Sequence, residues 1–515
     1  MSRSSYSRSH AKTNAQKNAQ RNSPGTYGQY VGSQAGSQIN SKISSPKNPS
    51  ELIRELESNA ADKIIATVHA LSHEGRGIAS ISGKTTFIED ALPGEVVEIE
   101  YLSHRGKYDE ARVINVLTAS PDRVTPPCEY FGRCGGCVLQ HLEPAKQVLH
   151  KESVLKDQLV HFGKITPKNN FLAPLVNPDH HGDLAYRKKA RLSVRYVPKK
   201  GGALIGFRER EGKYLMDMSH CEVLDPSVGQ NLDKLKKLVS SLDAKLSIPQ
   251  IEIAVGENRE NSENKNNLIT ALVFRNLEIL SEKDLGLLKL FGEQENFWIY
   301  LQPKGPESVY LIFPEKDLHQ DQNYLSYRHI DQGVQINFSP QDFTQVNSRM
   351  NTLMLKQALD LLDLKPSDQV LDFFCGLGNF TLPMAKSAEK VLGVEGDLPM
   401  VEKARKNAEI NLINNTEFIV ANLFEPGWEE NLEKLLPKAN KVLLDPPRSG
   451  AEFLVNYIGQ KSIPHIVYVS CNPATLARDA GILVNQYGYE LVTAGVMDMF
   501  PHTAHVESMA LFIKK

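Results

Sequence analysis

From about Gln335 to the C-terminus, short apolar runs alternate with helical stretches, and the runs stop at polar or reactive residues. Val370–Phe374 leads into a glycine loop and a helix through Lys386, while Lys390–Val394 stops at Glu395 before a helical Pro399–Asn411. Phe418–Ala421 stops at Asn422, Val442–Leu444 at Asp445, and His465–Val469 at Ser470-Cys471. Strands that read as unbroken apolar runs are buried on both faces, as in a parallel sheet covered by helices. Two late runs, Tyr489–Val496 and Glu507–Ile513, predict a terminal hairpin. The expected fold is α/β, a doubly wound Rossmann-like sheet over 335–515. Sheets of this kind bind ligands beyond the carboxyl ends of their strands, so the residues that stop the runs are the functional candidates.

The loop Asp372-Phe373-Phe374-Cys375-Gly376-Leu377-Gly378-Asn379 follows a strand and opens a helix. Its glycines let the backbone approach a ligand closely. Glu395, about twenty positions on, could hold a ribose hydroxyl. Thr381 stands where a dinucleotide fingerprint has its third glycine, which favours a smaller nucleoside ligand such as S-adenosylmethionine. Asn422 reads either as a contact to an adenine edge or as a strand-end cap. Gln345, just before the first helix, reads from pattern alone as a capping residue.

Asp445-Pro446-Pro447-Arg448 predicts a rigid extended loop with few backbone donors to satisfy. Such a loop can hold a flipped base against a methyl donor. Amino-group methyltransferases place an aromatic after the second proline, and Arg448 departs from that. Cys471 supplies a different chemistry. Carbon 5 of a pyrimidine becomes nucleophilic once a thiolate has added to carbon 6. A lone cysteine is ordinarily a small buried hydrophobe, and the strand end and Asn-Pro turn are what set Cys471 apart. Cys375 reads as a packing residue. Proton loss from carbon 5 then requires a base, for which Glu507 is the candidate and His505 the second choice. His502, His505 and Glu507 also have the donors of a metal site, without the helical context one usually needs.

The remaining two thirds divide by composition. Residues 1–56 predict a disordered basic tail, since the first fifty contain Lys and Arg but no Asp or Glu. Residues 57–118 carry five short strand patterns and predict a small oligonucleotide-binding barrel. Its loops hold His73, Arg76, Lys84, His104, Arg105 and Lys107. Residues 119–334 form a mixed α+β region. Within it, alternation puts Leu192 and Val194 on one strand face and Arg191 and Arg195 on the other, an arrangement suited to a phosphate backbone. The polar stretch 257–267 predicts an exposed loop. Net charge is −2 and no apolar stretch spans a bilayer or resembles a signal core, so the expectation is a cytoplasmic protein with no membrane partner. Six cysteines in such a setting are not expected to form disulfides. Cys128, Cys134 and Cys137 cluster, with Cys221 as a distant fourth; all-cysteine ligation fits zinc or an iron–sulfur cluster.

Taken together these motifs resemble the RNA uracil-5 methyltransferases, most closely the branch that modifies U1939 of bacterial 23S ribosomal RNA. The resemblance covers most of residues 60–515. It implies an N-terminal TRAM domain of oligonucleotide-binding type, carried by His73-Glu74-Gly75-Arg76-Gly77. A central iron–sulfur domain is implied, with Cys128, Cys134, Cys137 and Cys221 as ligands of a [4Fe-4S] cluster. For the C-terminal domain it implies S-adenosyl-L-methionine held by Gln345, Phe374, Asn379, Glu395, Asn422 and Asp445. It implies Cys471 as nucleophile and Glu507 as base, forming 5-methyluridine through a covalent adduct. The spacing before Asp445 is slightly longer than the family pattern, so Asn422 is the least direct transfer. The implied partner is 23S rRNA, free or in an early assembly intermediate, bound by a monomer. Three rivals stay open: another ribosomal or transfer RNA uridine, an amino-group methyltransferase that could dispense with Cys471, and a non-catalytic RNA-binding assembly factor.

Overall fold

The structure is a computed structural model that describes residues 63–178, 183–210, 212–258, 268–315 and 325–515. The expected tail (1–56) and most of the expected loop (257–267) lie outside the described residues. The C-terminal sheet has seven strands in the order Thr416–Val420, Lys390–Glu395, Gln369–Phe373, Lys441–Leu444, His465–Ser470, Glu507–Lys514, Tyr489–Met497. The first five are parallel, and Glu507–Lys514 runs antiparallel to both of its neighbours. The strand order reverses at Gln369–Phe373, where the chain crosses from one flank of the sheet to the other. This switch point opens a crevice beyond the strand ends.

Alternation along these strands feeds two cores. Leu371, Phe373, Leu392, Val394, Val442, Leu444, Ile466 and Tyr468 point into one. Val370, Val391, Leu443, Val467 and Val469 point into the other. Fully buried side chains of this size each stabilise the fold by about 1.5–3 kcal/mol. The second core is shared with a larger sheet that includes the strands Gln250–Asn258, Leu268–Arg275, Phe297–Gln302 and Leu325–His329. Ala254, Ile269, Trp298, Tyr300 and Leu325 meet Met350, Met354 and Leu355 of the helix Ser348–Leu362 there. Gly393 is required by close approach: a Cβ on it would lie 2.7 Å from the Phe418 ring and 2.9 Å from Cys375 Sγ. Cys375 itself is buried, as its packing role predicts.

The N-terminal sheet orders its strands Ile64–Thr67, Val96–His104, Tyr108–Thr118, Lys84–Glu89, Gly77–Ile81, Ala70–Leu71. Its two edge strands are consecutive in the chain, joined by Val68-His69, so the sheet curls on itself. It has six strands rather than the expected five, because the two-residue strand Ala70–Leu71 is too short to carry a pattern.

The basic surfaces expected from composition are largely neutralised. Arg76 pairs with Glu74 and with Glu110 at 3.2 Å, Lys84 with Asp109 at 2.6 Å, and Arg105 with Glu110 at 3.5 Å. Arg191 and Arg195 do project from the exposed face of Lys189–Val197, yet Arg191 is bound to Glu252 at 2.6 Å. Sequence alternation reports a face, not the carboxylate brought to it by another strand.

One element crosses the expected organisation. The helix Pro144–Gln158 lies in the sequence of the central region, but Val148, Val154 and Leu155 pack into the first core of the C-terminal sheet. The chain after it lies along Tyr489–Met497, with Leu172 N donating to Ala494 O at 2.8 Å and Leu175 N to Val496 O at 2.9 Å. Among the described residues no helix is long and apolar enough to cross a membrane.

Candidate active site

Three strand ends meet in the crevice. After Gln369–Phe373 the chain turns at Phe374, which adopts φ 64°, a conformation unfavourable for a side chain of this size. Phe374 N and Cys375 N both donate to Val394 O, at 2.9 and 3.1 Å, and fix the turn. Gly376 and Gly378 follow at φ 54° and 90°, which glycine adopts without strain. Glu395, at the end of the adjacent strand, accepts from Gly376 N at 3.1 Å and from Gly396 N at 2.7 Å.

Two further carboxyl groups flank it. Asp372 is buried and accepts a 2.5 Å hydrogen bond from Thr381 Oγ1, which explains the threonine in place of a third glycine. Burial, with help from Asp445 and Glu395, pushes Asp372 up to about 7. Asp445 is likewise pushed up to about 7 by burial. Glu395 and Asp445 are part-exposed at the strand ends while Asp372 lies wholly buried behind them, and two carboxyl groups beside a glycine loop suit a ligand with hydroxyls and a positive charge.

The other expected donor contacts are distributed unevenly. Asn379 Oδ1 accepts from Tyr327 Oη at 2.9 Å, His329 Nε2 at 3.0 Å and Asn351 Nδ2 at 3.0 Å, while its Nδ2 donates to Asn351 Oδ1 at 3.1 Å. Gln345 shares a cavity of about 190 Å³ with Tyr327, His329 and Asn351. It does not cap the following helix; Asn347 does, accepting from Met350 N at 3.3 Å. Asn422 is exposed and accepts from Phe424 N at 3.2 Å, closing its own turn as a strand-end cap. Phe424 then stands 5.8 Å from Phe374, an aromatic pair at the crevice mouth that no spacing pattern announced.

On the other side of the switch point lies Cys471. It follows His465–Ser470 and precedes the helix Pro473–Asn485, whose cap is Asn472. Asn472 Nδ2 also donates to Arg448 O at 2.9 Å, which ties the cysteine turn to the Asp445–Arg448 loop. The antiparallel register pairs Val469 with Met509 and Ser470 with Ser508. Continued by one step, it sets Glu507 beside Cys471. Burial pushes the Cys471 thiol up to about 11, with Glu507 and Asp445 adding to the rise and Arg448 opposing it. Glu507 is pushed up to about 8 by burial and Asp445, against the pull of Lys151 and Arg448. His505, the second candidate base, is engaged with Arg448 Nη2 at 3.0 Å from its Nδ1.

Cys471, Arg448 and His505 line a cavity of about 680 Å³ that also reaches Cys128, Cys134, Cys137 and Cys221, and the His73-Glu74 turn of the N-terminal barrel. The three clustered cysteines and the distant Cys221 thus line one space. Burial pushes Cys137 up to about 12 and Cys221 to about 11, and the neighbouring cysteines contribute to both. Cys128 N donates to Gln140 Oε1 at 3.2 Å, which holds the first cysteine turn to the third. Among the described residues, however, no group of three or more His, Cys, Asp or Glu is arranged to hold a metal ion. That applies equally to His502, His505 and Glu507, for which the metal reading gains no support.

A family model described as tRNA (Uracil-5-)-methyltransferase matches residues 314–515, and the TRAM domain model matches 62–114. The 23S rRNA (uracil(1939)-C(5))-methyltransferase RlmD of Francisella tularensis subsp. novicida is 47% identical over 453 residues, 87% of this chain and 96% of the relative. The protein of that name from Hahella chejuensis is 49% identical over 455 residues, 88% of this chain and 98% of the relative. The crystal structure of the Pyrococcus abyssi tRNA (uracil-54, C5)-methyltransferase with S-adenosyl-L-homocysteine superposes with a TM-score of 0.64 at 23% identity. It covers 87% of this chain and 99% of its own, a likeness of fold. With its N-terminal TRAM domain, its methyltransferase sheet and 47–49% identity to RlmD proteins over 87–88% of its length, the chain belongs to the family of 23S rRNA (uracil-C5) methyltransferases.

Proposed function

We propose that the protein transfers a methyl group from S-adenosyl-L-methionine to carbon 5 of a uridine in 23S rRNA, and that this uridine is U1939. The observation that carries the reading is the pairing of Cys471 with Glu507 across adjacent strand ends, beside the carboxyl-lined crevice. The donor supplies an electrophilic methyl. Phe374, Glu395 and Asp445 line its crevice, with Gln345, Asn379 and Asn422 completing its contacts. The uridine enters the larger cavity flipped from its strand.

Cys471 attacks carbon 6 as a thiolate, forming the C6–S bond and an enolate. Carbon 5 takes the methyl as the methyl–sulfonium bond breaks, leaving S-adenosyl-L-homocysteine. Glu507 then removes the C5 proton, the C5–C6 double bond re-forms, and Cys471 is expelled. The Cys471 thiol, pushed up to about 11 by burial, must ionise for the first step. Arg448 favours that ionisation, and the positive charge of the bound donor would add to it.

The four cysteines fit a [4Fe-4S] cluster by the chemistry of their donor set, four thiols facing one space. In this reading the cluster is structural and shapes the RNA-binding side of the cavity. The protein acts as a cytoplasmic monomer on free or early-assembling rRNA. RNA carrying 5-fluorouridine at the target should form a covalent complex that survives denaturation and disappears in Cys471→Ala, because fluorine cannot be removed as a proton. Absence of that complex would end the proposal. Anaerobically purified protein should show broad absorption near ~400 nm; zinc in its place would overturn the cluster reading alone.

A further inference from the structure

We propose that Lys151 and Asp498 form a buried strut that positions the loop 498–506 and thereby controls the release half of the reaction, in which Glu507 takes the C5 proton. The proposal rests on the roles given above to Cys471 and Glu507. Neither Lys151 nor Asp498 lines the cavity, so both act as positioning residues.

Lys151 lies on the helix Pro144–Gln158 and is 1% exposed. An ammonium group removed from water in this way is costly unless it is paired. Its Nζ donates to Asp498 Oδ1 at 2.6 Å and to Phe500 O at 2.8 Å. One helical turn earlier, on the same face, Gln147 Oε1 accepts from His502 N at 2.9 Å. One helix face therefore grips residues 498, 500 and 502 in succession. His502 holds φ 66°, a strained backbone that needs this support.

The opposite side of the loop is gripped as well. Tyr186 Oη donates to Pro501 O at 3.1 Å, and Val138 N and Leu139 N donate to His502 O at 2.9 and 3.0 Å. Beyond the last clamp only Thr503 to Val506 separate His502 from Glu507, and Thr503, Ala504, His505 and Val506 line the cavity. A displacement at Asp498 is thus passed on to the base.

The strut has an electrostatic side too. The charged or ionisable groups acting on Glu507 are Asp445 and Cys471 on neighbouring strand ends, Arg448 on the adjoining loop, and Lys151 beneath. Lys151 is the one of the two cations that is shielded from water, so its field is least screened. It favours the carboxylate form that abstraction requires. Adduct formation and methyl transfer make no use of that carboxylate. In its absence the C5–H bond stays intact and the C6–S bond cannot break.

The test uses the full chain with labelled S-adenosylmethionine and a 23S rRNA fragment, quenched rapidly and resolved on denaturing gels. Lys151→Met should form the methylated covalent adduct within about threefold of the wild-type rate but resolve it about tenfold more slowly at pH 7, the loss expected from one unit of base ionisation. Lys151→Met/Asp498→Leu removes the orphaned carboxylate; it should recover the folding midpoint and remain slow in resolution. Glu507→Gln serves as reference. If Glu507→Gln accumulates no adduct, the base assignment itself fails. If it does, and both Lys151 variants resolve their adducts at the wild-type rate or lose formation and resolution equally, the strut proposal is overturned.

Discussion

The pH dependence of adduct resolution in the unmodified protein probes the site most directly. As the proposed base, Glu507 must be a carboxylate to accept the C5 proton, and burial beside Asp445 pushes it up to about 8. At pH 7 roughly one-tenth of the protein then carries the base form, and at pH 9 roughly nine-tenths, a gain of about tenfold. The sign is fixed: a raised carboxyl is protonated below its shifted value, so the resolution rate should climb with pH from 7 to about 9, with its midpoint near 8, and level off above. Cys471, pushed up to about 11, is the proposed nucleophile of adduct formation and should not set this limb. Arg448→Met removes a cation that favours both ionised forms. Because Arg448 is solvent-exposed, its contribution is about 1 kcal/mol or less, which moves the midpoint upward by no more than ~0.7 unit. The assay is single-turnover quench of preformed methylated adduct across pH 6 to 9.5. A flat profile, or a midpoint near the ordinary carboxyl value, would refute the assignment of Glu507 as a buried base.

Three stability predictions follow from the surrounding frame, each read by chemical denaturation. Thr381→Val leaves buried Asp372 without its 2.5 Å donor and should cost about 1–3 kcal/mol. Gly393→Ala drives a methyl into Phe418 and Cys375 and should cost about 1–3 kcal/mol; an unchanged midpoint would contradict the packing described for the switch point. Arg123→Met leaves Glu95, which is wholly buried and holds Arg123 at 2.5 and 2.7 Å, with the Leu92 and Ser120 amides but no cation, and should cost about 3–5 kcal/mol.

The chemistry of the crevice was legible because it is local. A strand that ends in Glu395, Asp445 or Cys471 delivers that side chain to the carboxyl edge whichever neighbours it acquires, since period two and the parallel crossover rule already determine where strand ends point. Thr381 could be singled out by spacing alone, and the structure adds the carboxyl it answers to, Asp372. The basic loops were legible only as charges. Their partners, Asp109, Glu110 and Glu252, arrive from other strands, and sequence offers no account of that pairing.

The amino-acid order by itself therefore determined the sheet and which side chains stand at the ends of its strands. Tertiary structure alone decided which of them meet. The antiparallel register that sets Glu507 beside Cys471 joins residues dozens of positions apart, and the helix that carries Lys151 crosses 347 positions to reach Asp498. Contacts at that separation depend on how cores fill against one another, which no local periodicity encodes.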